Sequence, residues 1–216
     1  MKTVPDMQLV GRSSSHFTRV ARMFATELGV PIELVPIYDM KALGPEVYAG
    51  NPALKLPILR TDTGVVFGAL NICRTLAEHA TRPARIVWPE DLRDELSRNA
   101  QELVWHAMAA QVQIIMGTAI GKLPADNVFF VKIRAGLEGA LSWLDTNLAE
   151  ELRLLPTPRD VSVFEVSLFC LIEHLSFRIT VPVTPYPALA RFASDFAGRP
   201  SARETVYQFD TPPPGQ

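Results

Sequence analysis

The chain carries no block of basic residues and no surplus of positive charge: its formal net charge is -2. That removes nucleic acid and anionic membrane surfaces from the expected partners. There are only two cysteines, Cys73 and Cys170, with no Cys-x-x-Cys and no Cys/His cluster. A zinc centre, any other metal site and a structural disulfide are therefore not expected. Each cysteine lies within an apolar helical pattern, as a small buried hydrophobe does. The N-terminus lacks an apolar leader core, and no apolar run approaches the ~20 residues of a membrane span. No repeat is present. A cytoplasmic location without membrane contact is the expectation.

What is present is ordinary for a folded protein: 216 residues, 48% hydrophobic and 20% charged. This suits one body or two small domains and a small-molecule substrate. Met7 to Val10 is a short apolar run ending at Gly11. Ser13-Ser14-Ser15 then precedes an amphipathic stretch with Phe17, Val20, Ala21, Phe24 and Leu28 on one face, and Gly29 ends it as a helix-terminating glycine does. Ile32 to Ile37 reads as a second strand, and Asp39 to Gly50 as a loop with weak helical character. Pro57 to Arg60 and Val65 to Phe67 read as two strands joined by the turn Thr61-Asp62-Thr63-Gly64. A helix follows over Ala69 to Ala80. One parallel crossover plus one hairpin predicts a small mixed sheet covered by helices.

Thr81 to Pro89 contains two prolines and reads as a linker. Beyond it the signals are helical: Asp91 to Met116, then Asn127 to Ala149 with Val128, Val131, Leu137, Leu141, Leu144 and Leu148 at helical spacing. Ser162-Val163-Phe164-Glu165 matches a capping box, in which the glutamate reaches back to the serine N–H. Val163 to Leu175 is apolar nearly all round, as a central buried helix is. Pro187 to Ala197 supplies one more helix, and Thr211 to Gln216 reads as a loose proline-rich tail.

Five local patterns in this order resemble the soluble glutathione transferase family. Ser14 with Arg19 five positions later resembles its serine- or cysteine-led first helix. Asn51-Pro52-Ala53-Leu54-Lys55-Leu56-Pro57 resembles Asn-Pro-x-x-Lys-Val-Pro, and Ile72 to Glu78 resembles the rest of its third helix. The capping box at Ser162 and Arg199-Pro200-Ser201 complete the set. The resemblance implies a thioredoxin-like α/β domain over residues 1–80, a linker at 81–90 and an all-α domain over 91–210, with 211–216 as the tail. It also implies a homodimer and glutathione as co-substrate. The triple serine is similar to serine-type, bacterial-like members.

In that frame Ser14 is the candidate catalytic residue, with Ser13 and Ser15 as alternates. A free thiol has a pKa near ~8.5. A hydroxyl donating a hydrogen bond to its sulfur, beside the N–H groups of a helix start, favours the thiolate. A polar N-cap turn accounts for the same three serines. No nucleophile-elbow pattern frames them, so a hydrolase triad through His16 is not supported. The resemblance makes Pro57 cis and assigns the Leu56 backbone, Lys41, Lys55, Gly68 and Ala69 to glutathione. Solvated lysines are the competing reading for Lys41 and Lys55. It makes Trp105, His106 and Met108 a pocket for a hydrophobic electrophile, with core packing as the alternative; His79 and His174 read as structural. One departure stands out. The family places an acid and a serine where this chain has Gly68 and Ala69, and the hairpin from Gly64 is one residue short. The hydroxyl and the acid are lost, while the Ala69 N–H at a helix start remains suited to a carboxylate. An enzyme using glutathione, an enzyme using another thiol, and a non-catalytic binding or protein-interaction module of the same fold all follow from this pattern.

Overall fold

A computed structural model describes residues 7–212. The proline-rich tail therefore lies outside the described residues from 213 onward. The chain divides into two units, one built from residues up to Ala84 together with those from Arg199 onward, the other from Arg85 to Gly198. The second boundary differs from the sequence expectation, because the last segment folds with the N-terminal unit and not with the helices that precede it.

In the first unit β1 (Gln8–Gly11) pairs in parallel with β2 (Glu33–Pro36) and antiparallel with β3 (Ile58–Thr61), and β3 pairs antiparallel with β4 (Gly64–Phe67). The order β2-β1-β3-β4 is the expected mixed sheet. Alternation along the strands separates two faces. Leu9 and Leu59 stand opposite each other and are fully buried, while Val10 and Ile58 turn the other way into a cluster with Ile37 and Tyr48. The helix α1 (His16–Leu28) buries Val20, Met23, Phe24 and Leu28 and ends on Gly29 at φ 69°. It packs against α2 (Ala69–Glu78), which buries Ile72, Cys73 and Leu76 and stops two residues before the expected Ala80.

The C-terminal segment runs back along α1 as a strap. The short helix α7 (Pro200–Glu204) begins it, after an ion pair in which Arg199 donates Nε and Nη2 to the two Glu27 oxygens at 2.8 and 2.9 Å. Ser201 donates to the same carboxylate at 2.5 Å. Arg19, buried at 2% exposure, donates to the Ala202 carbonyl at 3.1 Å and to Thr205 Oγ1 at 3.3 Å. Its guanidinium also lies 4.3 Å from the centre of the Tyr207 ring. The strap reaches the start of α1, where Ser13 N–H donates to Asp210 Oδ2 at 2.9 Å.

The second unit starts with β5 (Ile86–Val87), inside the stretch that reads as a linker. It pairs in parallel with β6 (Val161–Ser162), and Arg85 and Asp160 form a two-point ion pair beside it. The helices are α3 (Glu95–Ile114), whose last turns widen into a π-helix over Ile115–Ile120, α4 (Val128–Leu154), α5 (Val163–Phe177) and α6 (Pro187–Phe196). α5 is buried on nearly every side, as its composition predicts. Ser162 Oγ accepts the Glu165 N–H, but the glutamate does not complete the capping box. Its carboxylate takes Nε and Nη2 of Arg159 at 2.8 and 3.0 Å, a charged two-point partner stronger than a neutral N–H. On α4, Leu137, Leu141, Leu144 and Leu148 form the buried face, whereas Val128 and Val131 are exposed together with Leu123 and Phe129. The continuous helix Glu95–Ile120 is long and apolar enough to pass for a membrane span by length and composition alone, although no uninterrupted apolar run exists; Gln101 and Gln111 are buried along it.

Two carboxyls make stability respond to pH in opposite directions. Glu151 is 1% exposed; burial raises its pKa above 4.5, and the neighbouring Ser97 side chain offsets that push only in part. The folded state thus holds that proton more tightly than the unfolded chain, and its contribution fades as pH rises above 4.5. For Glu27, burial pushes upward but the bonds and charges of Arg199 and Ser201, with Arg82 nearby, outweigh it and hold the pKa below 4.5. Its contribution is present above 4.5 and is lost as pH falls below it. In urea titrations at pH 7, Glu151→Gln is expected to stabilise by about 1–3 kcal/mol and Glu27→Gln to destabilise by about 2 kcal/mol. Equal midpoints for all three proteins at pH 7 would refute both assignments.

Candidate functional site

The sheet register gathers the sequence candidates of the first unit at one end. Val10 stands opposite Ile58 and Ile58 opposite Phe67. The residues just past those pairs are therefore neighbours: the turn after Gly11, the peptide before Ile58 and the start of α2 after Phe67. Ser13 to Ser15, Leu56-Pro57 and Gly68-Ala69 lie in these three places, and Gly68 N–H donates to the Pro57 carbonyl at 3.3 Å.

The first of these is a tight turn. Ser15 N–H closes it onto the Arg12 carbonyl at 3.1 Å, so Ser13 and Ser14 are its two central residues. Ser15 is the N-cap of α1; its Oγ accepts the Thr18 N–H at 3.3 Å. Thr18 Oγ1 in turn accepts the Arg12 N–H at 3.4 Å. The Gly11 backbone lies so close to this threonine that a Cβ there would fall 2.6 Å from its Oγ1 and Cγ2. The three serines thus have separate places. Ser15 serves the helix cap, Ser13 presents its N–H to Asp210, and Ser14 is the second central residue of the turn, 6% exposed. His16 is buried edge-on against Phe17.

The second element is the loop before β3. Asn51 braces it from within: its Nδ2 donates to the Lys55 carbonyl at 2.9 Å and its Oδ1 accepts the Ala53 N–H at 3.0 Å. This delivers Leu56 and a cis Leu56-Pro57 bond to the sheet. The ladder to β1 begins only at Ile58, which leaves the Leu56 backbone beyond it. Pro57 is buried, Leu56 half-buried and Lys55 exposed. Lys41 is exposed in the loop after β2, where its N–H donates to Asp39 Oδ1 at 2.8 Å.

The third is the start of α2. Gly68 is its N-cap at φ 86°, a backbone conformation that L side chains rarely adopt, and no side chain caps the helix. The N–H groups of the first turn, Ala69 foremost, carry the positive end of the helix dipole and suit an anion. A Cβ at Gly68 would meet nothing within 4 Å, so the obstacle to a side chain there is backbone strain and not space.

Trp105, His106 and Met108 belong to the second unit and do not act as one group there. Met108 is 1% exposed and forms part of the core. Trp105 is half-buried, and His106 is exposed with its Nε2 4.0 Å from Glu102. Sequence reasoning missed Arg12, whose Nη1 donates to the Tyr38 carbonyl at 3.2 Å, and Asp210. Arg12 was legible as a charge beside the serines. Asp210 was not, because it lies 197 residues from its partner. Among the described residues, no group of three or more His, Cys, Asp or Glu gathers to hold a metal.

A thioredoxin-like mixed sheet with a helix-opening serine turn, a cis proline before β3 and an α2 without a side-chain cap, followed by a mainly helical region whose one strand pair departs from the all-α expectation, defines the glutathione transferase fold. Residues 14–79 match the family description "Glutathione S-transferase, N-terminal domain". Solved structures share the fold across the chain. A glutathione S-transferase from Methylobacillus flagellatus with GSH bound is 21% identical, with a TM-score of 0.73, over 94% of this chain and 100% of that one. One from Methylobacterium radiotolerans, in complex with glutathione sulfonate, is 20% identical at 0.73 over 96% and 97%. A glutathione transferase family member from Pseudomonas fluorescens with bound glutathione is 21% identical at 0.75 over 94% and 99%. No curated protein matches the chain in sequence.

The φ of Gly68 gives the departure at this position a measurable consequence. Gly68→Asp restores an acid at a helix start, worth about 0.3–1 kcal/mol. It also forces a side-chain-bearing residue into a conformation costing about 1–3 kcal/mol. Net destabilisation of about 1 kcal/mol is expected in urea denaturation; a variant more stable than the parent would contradict the strain argument.

Proposed function

We propose that the protein is a glutathione transferase of the serine type, in which Ser14 holds the thiol of glutathione as thiolate for attack on a hydrophobic electrophile. The observation that carries the reading is the convergence of the Ser14 turn, the Leu56 backbone before cis Pro57, and the open N-terminus of α2 at one end of the sheet. The Ser14 hydroxyl donates to the sulfur, the thiol proton leaves to water, and the thiolate forms the new carbon–sulfur bond while the electrophile takes the electron pair. The Leu56 backbone pairs with the cysteinyl peptide group as an added strand would. The Ala69 N–H takes the γ-glutamyl carboxylate at the helix start, and Lys55 and Lys41 offer ammonium groups to the glycyl carboxylate. Trp105 and His106 are the accessible candidates to touch the electrophile, whereas the burial of Met108 places it in the core. Glutathione is a co-substrate here, and no step calls for a metal.

The altered motif at Gly68-Ala69 makes this a weak-binding variant of the site. One hydrogen bond to a charged group is worth about 1.5–3 kcal/mol, or roughly tenfold to 150-fold in affinity. The family resemblance implies a homodimer, and the exposed apolar side chains of Leu123, Val128, Phe129 and Val131 are the candidates to contact a second copy. A cytoplasmic detoxification role is the setting in which this chemistry fits.

Calorimetry with glutathione followed by a transferase assay tests the reading. Ser14→Ala is expected to lower kcat/KM about a hundredfold or more while leaving glutathione affinity nearly unchanged, and Ala69→Ser to tighten glutathione binding about tenfold or more. Neither heat nor turnover in the wild type would sink the enzyme reading and leave a non-catalytic module of the same fold.

A further inference from the structure

A β-turn leaves the N–H of its first central residue pointing outward, outside the hydrogen bond that closes the turn. Here that group is Ser13 N–H, on a residue only 2% exposed. A buried N–H without a partner is costly, so something must take it. What takes it is Asp210, at 2.9 Å, the last anchor of the C-terminal strap. The strap is fixed on α1 at several points before it arrives: Glu27 with Arg199 and Ser201, Arg22 Nη2 with the Glu204 carbonyl, and Arg19 with Ala202, Thr205 and Tyr207. Asp210 is therefore delivered to the turn by a fastened segment and not by a loose end.

The peptide that ends in Ser13 N–H sits one residue before Ser14. Its plane sets the direction in which the second half of the turn leaves, and with it the Ser14 hydroxyl. The bond from Ser15 N–H to Arg12 and the paired bonds of Thr18 act on Arg12 and Ser15, at the two ends of the turn. The Asp210 contact acts on the middle of the turn, at the residue next to Ser14.

We infer that Asp210 is a positioning residue for Ser14: by accepting Ser13 N–H, it fixes the serine turn in the orientation that presents the Ser14 hydroxyl to a thiol. The inference rests on the transferase reading above and adds to it a residue from the opposite end of the chain. The acceptor oxygen is what the role requires, so Asp210→Asn keeps the function and Asp210→Ala loses it.

The full chain and both variants are compared by two measurements. Amide hydrogen exchange of Ser13 to Ser15, without ligand, reads the turn itself. The ultraviolet absorbance of bound glutathione thiolate against pH reads its consequence, alongside a thermal melt to confirm folding. Asp210→Ala is expected to speed exchange about tenfold or more, to move the thiol titration to higher pH and to lower kcat with little change in glutathione affinity. Asp210→Asn should recover most of each effect. Unchanged exchange in Asp210→Ala overturns the proposal. So does faster exchange with an unmoved thiol titration, or an Asp210→Asn protein as impaired as Asp210→Ala. A wild type that shows no thiol titration overturns the transferase reading as well, and that failure is distinguishable because it precedes any substitution.

Discussion

The N-terminal unit depends on the burial of one charge. Arg19 sits inside it, and a guanidinium removed from water costs several kcal/mol unless its donors are met. The strap takes Nε on the Thr205 hydroxyl and Nη2 on the Ala202 carbonyl, and lays the face of Tyr207 against the guanidinium. α1 therefore requires the strap, and the strap has a reason to return to the first unit after the chain has built the second. Once held there, it brings Arg199 and Ser201 to one end of α1 and Asp210 to the other.

The site follows from strand register as directly as from any single residue. Because Val10, Ile58 and Phe67 stand in line, the segments that follow or precede them emerge together. Each segment has its own local device. Gly11 allows the close approach of Thr18, Asn51 bonds both sides of its loop, and Gly68 adopts a positive φ. These devices are backbone-level and would hold the same geometry for many side chains. They explain how the frame can keep its shape while the side chains at Gly68-Ala69 change.

At that pair, glycine relieves strain but removes an acid, and alanine removes a hydroxyl but leaves its N–H. What is lost is side-chain chemistry; what is kept is the helix start. The second unit shows a parallel exchange. It buries the carboxyl of Glu151 yet exposes Phe129 and Val128, so each of its surfaces departs locally from the usual sorting of polar and apolar groups.

Much of the fold was legible because it rests on short-range signals. Gly29 ends α1, the alternation of the strands and the turn before Gly64 set the hairpin, and the all-round apolarity of Val163 to Leu175 marks the buried α5. The cis bond at Pro57 followed from a resemblance in the seven residues that end in it. What the sequence could not determine was every feature that depends on distant partners. The strand at Ile86–Val87 exists only because Val161–Ser162 pairs with it, and Glu165 turned from its cap because Arg159 was in reach. Val128 and Val131 fit the helical period yet point outward, since period fixes a face but not what covers it. The same limit separates the three serines. Their composition announces a helix start, and the local Thr18 N–H assigns Ser15 to the cap, whereas tertiary contact alone gives Ser13 to Asp210, because that hydrogen bond joins groups 197 residues apart that only folding brings to 2.9 Å.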